Sequence, residues 1–400
     1  MTRLLVLSQA SVNRPHRRVY DLIAREPGWD VHIVAPERLP VGDFAKLCDP
    51  PDDDARYVLH PLPLAAPSSG RLQFFRGLTS LAFRLRPDVV FAEHDPGSVQ
   101  VLHGWLAVRW SAGAVVGYTV ENLVESRWRN ATVAARAGRW NRVARDLFVG
   151  ALDFAGASAA AGLACMNDDA VRIYRHHRSW RKPLALVPLG TDLDRFKPLS
   201  AEQRRKLRDR YGVRHRFAVG FFGRLVKEKG VELLLEALSN IDGDWVLLMD
   251  AFRNFQPGAY VERLLRKAAD LGVADRLLTF DVGHEQVPEV MNCCDVIVLP
   301  SLTTPTFKEQ FGRVLPEAMA CGVPVVCSDS GNLPAVVGEA GWVVPEGDVC
   351  ALAAAVRSVR DDDPLRRARI AAGLDRARHQ LSVGAQKQAL LRLFQEATAG

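Results

Sequence analysis

The chain has 400 residues, of which 48% are hydrophobic and 24% charged, and its formal net charge is +6. These values exclude a disordered chain or a coiled coil and, at roughly 150 residues per domain, favour a globular protein of two domains. Residues 1–198 carry 26 Lys and Arg against 20 Asp and Glu, so the first half holds the whole positive excess. That half is the one we expect to face an anionic partner.

The seven cysteines form no CxxC motif, and several lie inside apolar runs such as MNCCDVIVLP. We therefore expect reduced, buried thiols in a cytoplasmic protein rather than a disulfide framework. A membrane span needs about 18 or more apolar residues without charge. The closest stretch, residues 147–165, contains Asp153, so no span is expected.

Short apolar runs alternate with helix-length amphipathic segments along the whole chain. The predicted strands are 4–8, 31–35, 88–92 and 114–119 in the first half and 217–222, 245–249, 295–299 and 324–327 in the second. The clearest predicted helices are 231–238, 259–271, 313–321 and a closing helix at 382–397. This alternation predicts two α/β domains, each a doubly wound parallel sheet covered by helices.

The segment VPLGTDLDRFKPLS, residues 187–200, is rich in Pro, Gly and Asp and is the predicted hinge. We expect a Rossmann-like domain over residues 1–190 and a second over 191–380. The C-terminal helix, 381–400, is expected to pack back towards the first domain. Two such domains would face each other across a cleft at the carboxyl ends of their sheets, where open α/β folds bind ligands.

The segment KEQFGRVLPEAMACGVPVVCSDSG, residues 308–331, reads as a loop and a helix that follow a strand. Glu309 lies in the loop, and Glu317 lies one to two turns into the helix, where a carboxylate could accept hydrogen bonds from sugar hydroxyls. The unpaired N–H groups of a helix N-terminus attract anions, and Gly312 would let a ligand approach the backbone closely. For Glu317 alone a solvated helix face is an equally good interpretation, but the whole pattern favours a site.

The segment FAVGFFGRLVKEKG, residues 217–230, is a predicted buried strand that ends at Gly223 and is followed by Arg224 and Lys229. Cations at the carboxyl end of a strand suit a diphosphate, with Arg as a planar fork and Lys as a point charge. Two solvated loop cations are the simpler alternative. Neither GxxxxGK[ST] nor GxGxxG is present, which argues against a P-loop and a nicotinamide cofactor.

Together, GRLVKEKGVELLLEAL and the segment 308–331 closely resemble the retaining glycosyltransferases of family 4, which have the GT-B fold. The resemblance covers nearly all of residues 185–400, whereas the first half matches loosely, through 88–98 and 115–122. It implies transfer of a hexose from a nucleoside-diphosphate sugar, UDP- or GDP-linked, to a hydroxyl of a sugar, lipid-linked or small-molecule acceptor. It also implies retention of the anomeric configuration, with no metal and no other cofactor.

The resemblance implies three catalytic residues: Arg224 and Lys229 neutralise the leaving diphosphate, and Glu309 lies near the anomeric carbon. Glu317 would bind the nucleotide ribose. Further donor contacts are implied for Gly223, Val282, Gly283, Gln310, Phe311, Gly312, Arg313 and Val314. A glycosyl transition state is cation-like at the sugar and gains negative charge on the leaving group. The site must therefore offer a carboxylate near the sugar and cations near the leaving group. We favour front-face transfer within an ion pair, with a covalent glycosyl-enzyme as the alternative.

The sequence departs from the family pattern in three places. Residues 250–258 read DAFRNFQPG where a Gly-x-Gly-Pro turn is usual, a second common glycine is replaced near Phe280, and the loop 8–21 lacks the usual Gly-Gly. The sequence therefore does not identify the nucleobase or the sugar of the donor. The acceptor-side candidates are Asn13, Arg14, His94, Glu121 and Asn122. A Glu that caps a local turn is an equally good interpretation of Glu121.

Residues 127–145 contain six Arg, two Trp and no acidic residue, and residues 172–183 form a second basic aromatic stretch. Such stretches suit an anionic membrane surface, although solvated helix faces with core Trp residues are the simpler alternative. No nucleic-acid partner is expected.

The predicted function is a glycosyltransferase of polysaccharide, glycolipid or glycosylated-metabolite biosynthesis, cytoplasmic and peripheral at the inner face of the membrane. Two alternatives remain. One is a sugar phosphorylase or nucleotide-sugar epimerase on the same fold, and the other is a non-catalytic nucleotide-sugar-binding protein.

Overall fold

The computed structural model describes residues 1–399 except 42–43, 67–69, 110, 124–131, 133–134, 137–138 and 251–258. The chain divides into two compact units, one of Met1–Pro188 with Gln386–Gly400 and the other of Leu189–Ala385. The division falls within the predicted hinge. Each unit contains one large parallel sheet with helices, so the α/β class predicted from the alternating runs is confirmed.

The first unit is built on a seven-stranded parallel sheet in the order β11-β10-β9-β8-β1-β2-β5. The strands of this sheet are β1 (Thr2–Leu7), β2 (Trp29–Pro36), β5 (Val58–Leu62), β8 (Val89–Ala92), β9 (Ala114–Thr119), β10 (Gly162–Cys165) and β11 (Leu184–Leu186). Two short antiparallel pairs add β3 (Arg38–Val41) with β4 (Phe44–Leu47) and β6 (Leu64–Ala65) with β7 (Phe74–Phe75). The central strands β1, β8 and β9 are continuous apolar runs because helices cover both faces of a parallel sheet.

The helices of the first unit are α1 (Arg18–Ala24), α2 (Leu78–Leu85), α3 (Val99–Val108), α4 (Trp140–Ala159) and α5 (Asp168–Arg172). The closing helix α14 (Val383–Ala399) runs from the end of the second unit into the first. Its buried side chains Leu390, Leu393 and Phe394 recur at helical spacing, as the sequence predicts. The Phe394 ring lies 5.4 Å from the ring of Phe91, so this helix contributes to the core of the first unit.

The second unit is built on a six-stranded parallel sheet in the order β14-β13-β12-β15-β16-β17. Its strands are β12 (Phe217–Phe221), β13 (Trp245–Asp250), β14 (Leu277–Phe280), β15 (Val296–Leu299), β16 (Val325–Ser328) and β17 (Gly341–Val344). Its helices are α6 (Ala201–Arg210), α7 (Val231–Ser239), α8 (Ala259–Asp270), α9 (Val287–Cys293), α10 (Val314–Ala320), α11 (Leu333–Val337), α12 (Val349–Asp361) and α13 (Asp363–His379).

Several sheet strands, among them β5, β10, β11 and β17, were not among the predicted strands. The apolar stretch 147–165 is the end of α4 followed by β10, and Ala160 and Ala161 separate them. None of the described helices has the length and apolar character that crossing a membrane requires. Five of the seven cysteines are buried, Cys48 is partly exposed and Cys350 is exposed, and all seven thiols are free.

Candidate active site

The order of the strands in the second unit reverses between β12 and β15, which are neighbours in the sheet. In open α/β folds such a switch point leaves a crevice at the carboxyl ends of the strands, and ligands bind there. The loop after β12 carries Arg224 and Lys229, and the loop after β15 carries Glu309. All three predicted catalytic residues therefore follow the two strands of the switch point.

Lys229 and Glu309 form an ion pair, with 2.5 Å between Nζ of Lys229 and Oε2 of Glu309. The Ser301 hydroxyl donates a second hydrogen bond, 2.8 Å long, to the same carboxylate oxygen. The Lys229 ammonium also lies 5.5 Å from the centre of the Phe307 ring. Glu309 is only 7% exposed, so this carboxylate is held by two donors in one buried position.

Two glycines bring these loops together at distances that no other residue allows. A Cβ atom on Gly230 would lie 1.9 Å from the carbonyl oxygen of Pro300, and one on Gly331 would lie 2.0 Å from that of Glu309. Both glycines also have positive φ, +68° and +57°, where glycine alone is unstrained. The loops after β12 and β16 therefore support the β15 loop through direct backbone contact.

Gly312 is required by its backbone conformation and by its packing. Its φ is +66°, and a Cβ atom there would lie 2.3 Å from the side chain of Leu333 and 3.0 Å from that of Leu299. Packing against these leucines and the left-handed backbone account for a glycine at this position, and the close approach of a ligand stays a prediction. The helix α10 begins at Val314, so Gln310, Phe311 and Gly312 approach it as irregular backbone, with Gln310 exposed and Phe311 buried.

Glu317 lies in the first turn of α10 and is 8% exposed. Burial raises the pKa of its carboxyl to about 7, although Arg313 and Arg195 oppose the shift. Arg313 Nε lies 3.2 Å from Oε1 of Glu317. The solvated helix face is therefore the wrong interpretation of Glu317, which is a buried carboxyl on the helix that follows Glu309.

The remaining donor-side candidates surround the end of the same sheet. Gly223 and Arg224 are exposed directly after β12. The N–H of Gly283 is donated to Oε1 of Gln286, and the carbonyl of Gly283 accepts from the N–H of Gln286. The rings of Phe222 and Phe280 lie 5.3 Å apart. The altered turn at 251–258 lies outside the described residues.

In the first unit, His94 and Glu121 follow β8 and β9, which are neighbouring strands. Nε2 of His94 is buried and has no hydrogen-bond partner among the described residues, and burial lowers the pKa of this histidine to about 4. Oε1 of Glu121 lies 2.7 Å from Nη2 of Arg178, and burial raises the pKa of Glu121 despite that arginine. The carboxyl edge of this sheet therefore holds a second set of buried polar groups.

Asn13 and Arg14 lie in the loop after β1. Arg14 is exposed and forms a 2.9 Å ion pair with Asp52, and its backbone N–H is donated to Asp49. Asn122 follows Glu121 in the loop after β9 and is partly buried.

The aromatic side chains of the second basic aromatic stretch are buried, although most of its basic residues are exposed. Tyr174 and Trp180 are buried, and their rings lie 5.8 Å apart in an edge-on contact. Both rings pack into the core of the first unit, so the alternative of a core tryptophan is confirmed for Trp180, and a membrane contact of residues 172–183 stays a prediction. In residues 127–145 the described aromatic residue is Trp140, which is 69% exposed, while Trp128 lies outside the described residues.

Sequence reasoning missed the residues that hold the candidates in place. Ser301 donates to Glu309, Gly331 supports its backbone, and Arg178 pairs with Glu121. Gly331 lies within the segment 308–331 and Ser301 lies shortly before it, so a small residue in or near the motif was the available signal. The sequence gives no signal for the pairing of Arg178 with Glu121, because the two residues are distant in sequence and Arg178 lies in a stretch that looks like a basic surface.

A cavity of about 420 Å³ in the second unit does not coincide with this site. Its lining includes residues at or just before the starts of strands, among them Phe217, Asp295 and Pro324, so it lies at the opposite edge of the sheet. Its Arg204 donates to the carbonyl groups of Asn292 and Cys294 and to Asp295. Among the described residues, no group of three or more His, Cys, Asp or Glu could hold a metal ion.

Two doubly wound parallel units, with cations and carboxylates after the switch-point strands of the second, define a protein of the GT-B class. A family model described as glycosyl transferases group 1 matches residues 203–376. The D-inositol 3-phosphate glycosyltransferase of Xylanimonas cellulosilytica is 31% identical over 306 residues, which cover 74% of this chain and 69% of that protein. The chain belongs to the glycosyl transferases group 1 family, and the resemblance seen in the motifs is confirmed.

Two further relatives are matched over less of their length. The D-inositol 3-phosphate glycosyltransferase of Geodermatophilus obscurus is 33% identical over 67% of this chain and 61% of its own. The GDP-mannose-dependent alpha-(1-6)-phosphatidylinositol monomannoside mannosyltransferase of Mycolicibacterium smegmatis is 37% identical over 44% of this chain and 47% of its own. The chain thus spans about half to three fifths of these two relatives.

Solved structures agree with the fold. Sucrose-phosphate synthase from Thermosynechococcus elongatus superposes with a TM-score of 0.72 at 19% identity and covers 100% of both chains. Anabaena HepE in complex with UDP-glucose gives a TM-score of 0.70 at 18% identity, over 99% of this chain and 100% of its own. At these identities the similarity establishes the GT-B fold alone.

Proposed function

We propose that this protein transfers a hexose from a nucleoside-diphosphate sugar to an acceptor hydroxyl, with retention of the anomeric configuration and without a metal ion. The observation that carries the proposal is the buried pair of Lys229 and Glu309 after the two switch-point strands. It supplies a cation and a carboxylate at one point, as a glycosyl transition state requires. The proposal assigns the donor to the second unit and the acceptor to the first.

Lys229 can serve two partners at once. An ammonium group has three N–H donors, and Glu309 occupies one of them in the structure. A second can bind an oxygen of the donor diphosphate, together with the exposed guanidinium of Arg224. These cations would stabilise the charge that develops on the leaving diphosphate, which is the task that a metal ion performs in other transferases.

The proposed chemical step is front-face displacement. The bond between the anomeric carbon and the diphosphate oxygen breaks, and its electron pair stays on that oxygen. The acceptor oxygen then bonds to the carbon from the same face, and its proton passes to the departing phosphate. Glu309, fixed by Lys229 and Ser301, would stabilise the positive charge on the sugar. A covalent glycosyl-enzyme remains the alternative route to retention.

The buried carboxyl of Glu317 is proposed to bind the ribose hydroxyls of the donor. A carboxylate accepts hydrogen bonds from two neighbouring hydroxyl groups without a change of rotamer. Relatives and neighbours are named for GDP-mannose or were solved with UDP-glucose, so we propose a UDP- or GDP-linked donor. We propose a sugar, lipid-linked or small-molecule acceptor in polysaccharide, glycolipid or glycosylated-metabolite synthesis.

The test is a transfer assay with UDP- and GDP-sugars and a panel of sugar, inositol phosphate and phosphatidylinositol acceptors, in buffer with EDTA. The anomeric configuration of the product is read by NMR. The proposal expects an α-linked product from an α-linked donor in EDTA. An inverted product or an absolute requirement for a divalent ion would overturn it. Sugar phosphate formed only with added inorganic phosphate would indicate a phosphorylase, and donor binding without turnover would indicate a binding protein.

A further inference from the structure

We propose that Phe307 is a positioning residue for sugar transfer, whose ring holds the Lys229 ammonium in place for the donor diphosphate, and that Glu346 acts through this ring. The inference rests on the proposed function and extends it, because neither Phe307 nor Glu346 is among the predicted site residues. Phe307 lies in the loop after β15, and Glu346 lies in the loop after β17. Both loops leave the carboxyl edge of the second sheet.

Residues 304–307 form a closed turn in the β15 loop. The N–H of Thr304 is donated to the carbonyl of Phe307 over 2.7 Å, and the N–H of Phe307 is donated to the hydroxyl of Thr304 over 3.0 Å. Pro305 takes the second position of the turn, where its fixed φ is favourable. Pro305 and Thr306 are exposed, whereas Phe307 is half-buried. The turn is therefore ordered by its own hydrogen bonds and holds one aromatic side chain against the protein.

Two further loops hold the start of this turn. The carboxylate of Glu346 accepts both the N–H and the hydroxyl of Thr303, each at 2.5 Å. The Thr303 hydroxyl also lies 3.0 Å from the hydroxyl of Ser330. The N–H of Glu346 is donated to Asp329, which fixes the backbone that carries the carboxylate. Because two hydrogen bonds to one carboxylate define an orientation as well as a position, Glu346 determines where the turn begins.

The turn is also connected to Lys229 itself. The N–H of Leu302 is donated to the carbonyl of Glu228 over 2.8 Å, and Glu228 directly precedes Lys229. The Lys229 ammonium lies over the Phe307 ring, 5.5 Å from its centre, which is within the range of a cation–π contact. The Lys229 side chain is only 14% exposed, so little water competes with the ring for the ammonium.

A ring is a suitable partner for a cation that must also bind a diphosphate. The face of an aromatic ring attracts an ammonium through its quadrupole but has no net charge. A second carboxylate beside Glu309 would hold Lys229 more tightly, but it would also repel the diphosphate. The ring restricts the ammonium without adding negative charge. A cation that is already in position stabilises the departing diphosphate best, because nothing has to rearrange as the bond breaks.

The test replaces Phe307 by phenylalanines with one, two or three ring fluorines. Fluorine weakens the attraction of the ring face for a cation and changes the size of the ring little. The purified full chain is assayed for transfer with UDP- and GDP-sugars as above. We expect kcat to fall with each added fluorine, by roughly 3- to 30-fold in total, while the donor KM stays within about twofold.

Natural side chains give a second series. Phe307→Leu keeps an apolar side chain without a ring and should show the full loss of kcat, whereas Phe307→Tyr should restore most of it. Phe217 is the matched control, because it is a partly buried phenylalanine at the opposite edge of the same sheet. Phe217→Leu should keep kcat within about twofold of wild type, since its ring is remote from Lys229.

Glu346→Gln tests the role of Glu346. Glutamine keeps one acceptor oxygen and places an NH₂ group where the other oxygen was, so one hydrogen bond from Thr303 is lost. The variant should lower kcat about as much as Phe307→Leu. The two changes together should cost little more than either alone, because both act through the same ring. Losses that multiply in the double variant would overturn the role of Glu346.

Two further outcomes separate this inference from the function on which it rests. A wild type that transfers sugar, with the same kcat in every fluorinated protein, would overturn the inference alone, since a ring that only fills space is insensitive to fluorine. A wild type that transfers no sugar from UDP- or GDP-linked donors would overturn the proposed function and the inference with it.

Discussion

Gly331 lies so close to Glu309 that a Cβ atom on the glycine would be 2.0 Å from the carbonyl oxygen of the glutamate. The backbone N–H of the next residue, Asn332, donates a 3.1 Å hydrogen bond to that same carbonyl. The β16 loop thus fixes the backbone of the residue whose side chain meets Lys229. The position of the carboxylate depends on a contact that leaves no room for a side chain.

Gly331→Ala should therefore disturb both stability and activity. Alanine at positive φ costs about 1–2 kcal/mol, and the contact with Glu309 adds an overpacking cost of roughly 1–3 kcal/mol. In urea denaturation, the free energy of unfolding should fall by the sum of these two costs. The matched control is Gly347→Ala, since Gly347 has φ +78° and no atom within 4 Å of its Cβ position. Gly347→Ala should lose only the free energy of unfolding that alanine at positive φ costs, and it should keep its activity. An equal loss of stability and activity in both variants would contradict the account.

Lys229→Ala should reduce kcat for sugar transfer by roughly 100- to 1,000-fold, because the departing diphosphate loses a preorganised cation. The variant should also melt at a lower temperature, since Glu309 stays buried without its ammonium partner. Lys227 is exposed in the same turn, so Lys227→Ala is the control and should be within about twofold of wild type. Steady-state kinetics below both melting temperatures make the comparison. Similar rates in the two variants would remove Lys229 from the proposed site.

Glu317 should make the second unit less stable as the pH rises. Burial raises its pKa from 4.5 to about 7, so the folded state binds the proton more tightly than the unfolded state. The stability that this provides is fully present below pH 4.5 and is lost as the pH rises through 7, by about 3–4 kcal/mol. Glu317→Gln is neutral at every pH. It should be more stable than wild type at pH 8, although donor affinity falls, and the difference should vanish near pH 4.5.

Urea denaturation of both proteins at the two pH values measures this difference. Arg313→Gln, which removes the nearby cation, should increase the destabilisation at pH 8. A wild type that is the more stable protein at pH 8 would show that the ionised carboxylate is favoured in its buried position.

His94 should make the stability of the first unit depend on pH in the opposite direction. Its pKa falls from 6.5 to about 4 because its ring is buried, so the unfolded state binds the proton more tightly. Stability should fall by about 2–3 kcal/mol as the pH drops from 6.5 to 4. His94→Gln should remove this part of the pH dependence. His215 is exposed, so His215→Gln is the control and should leave the dependence unchanged. The same slope in His94→Gln and wild type would show that the ring is accessible to water.

Much of the fold follows from the sequence because the central strands are buried on both faces. Runs such as VVFA and AVVGYT have one plausible structure, and the predicted strands 88–92 and 114–119 match β8 and β9 within one residue. Strand β10 was missed because its four residues, GLAC, follow the helix α4 after only two alanines. There the apolar run continues while the secondary structure changes, and only the packing of the sheet distinguishes the two.

The candidate site follows from the sequence only in part. The motif segments place Lys229 and Glu309 in loops after strands, but the sequence does not show that these loops are neighbours. Neighbourhood comes from the reversal of strand order between β12 and β15, which is a property of the assembled sheet. Trp180 shows the converse, since its basic neighbours suggest a surface and its ring lies in the core.

The most direct test of the central claim is the binding of nucleotides to the native protein without added metal. UDP, GDP and their sugars are added to wild type, Lys229→Ala and Lys227→Ala, and the shift in melting temperature is measured, since a ligand that binds only the folded state raises it. The account predicts that one nucleotide class stabilises wild type and Lys227→Ala in EDTA and has little effect on Lys229→Ala. Equal stabilisation of all three proteins, or none in wild type, would contradict a donor site at Lys229 and Glu309.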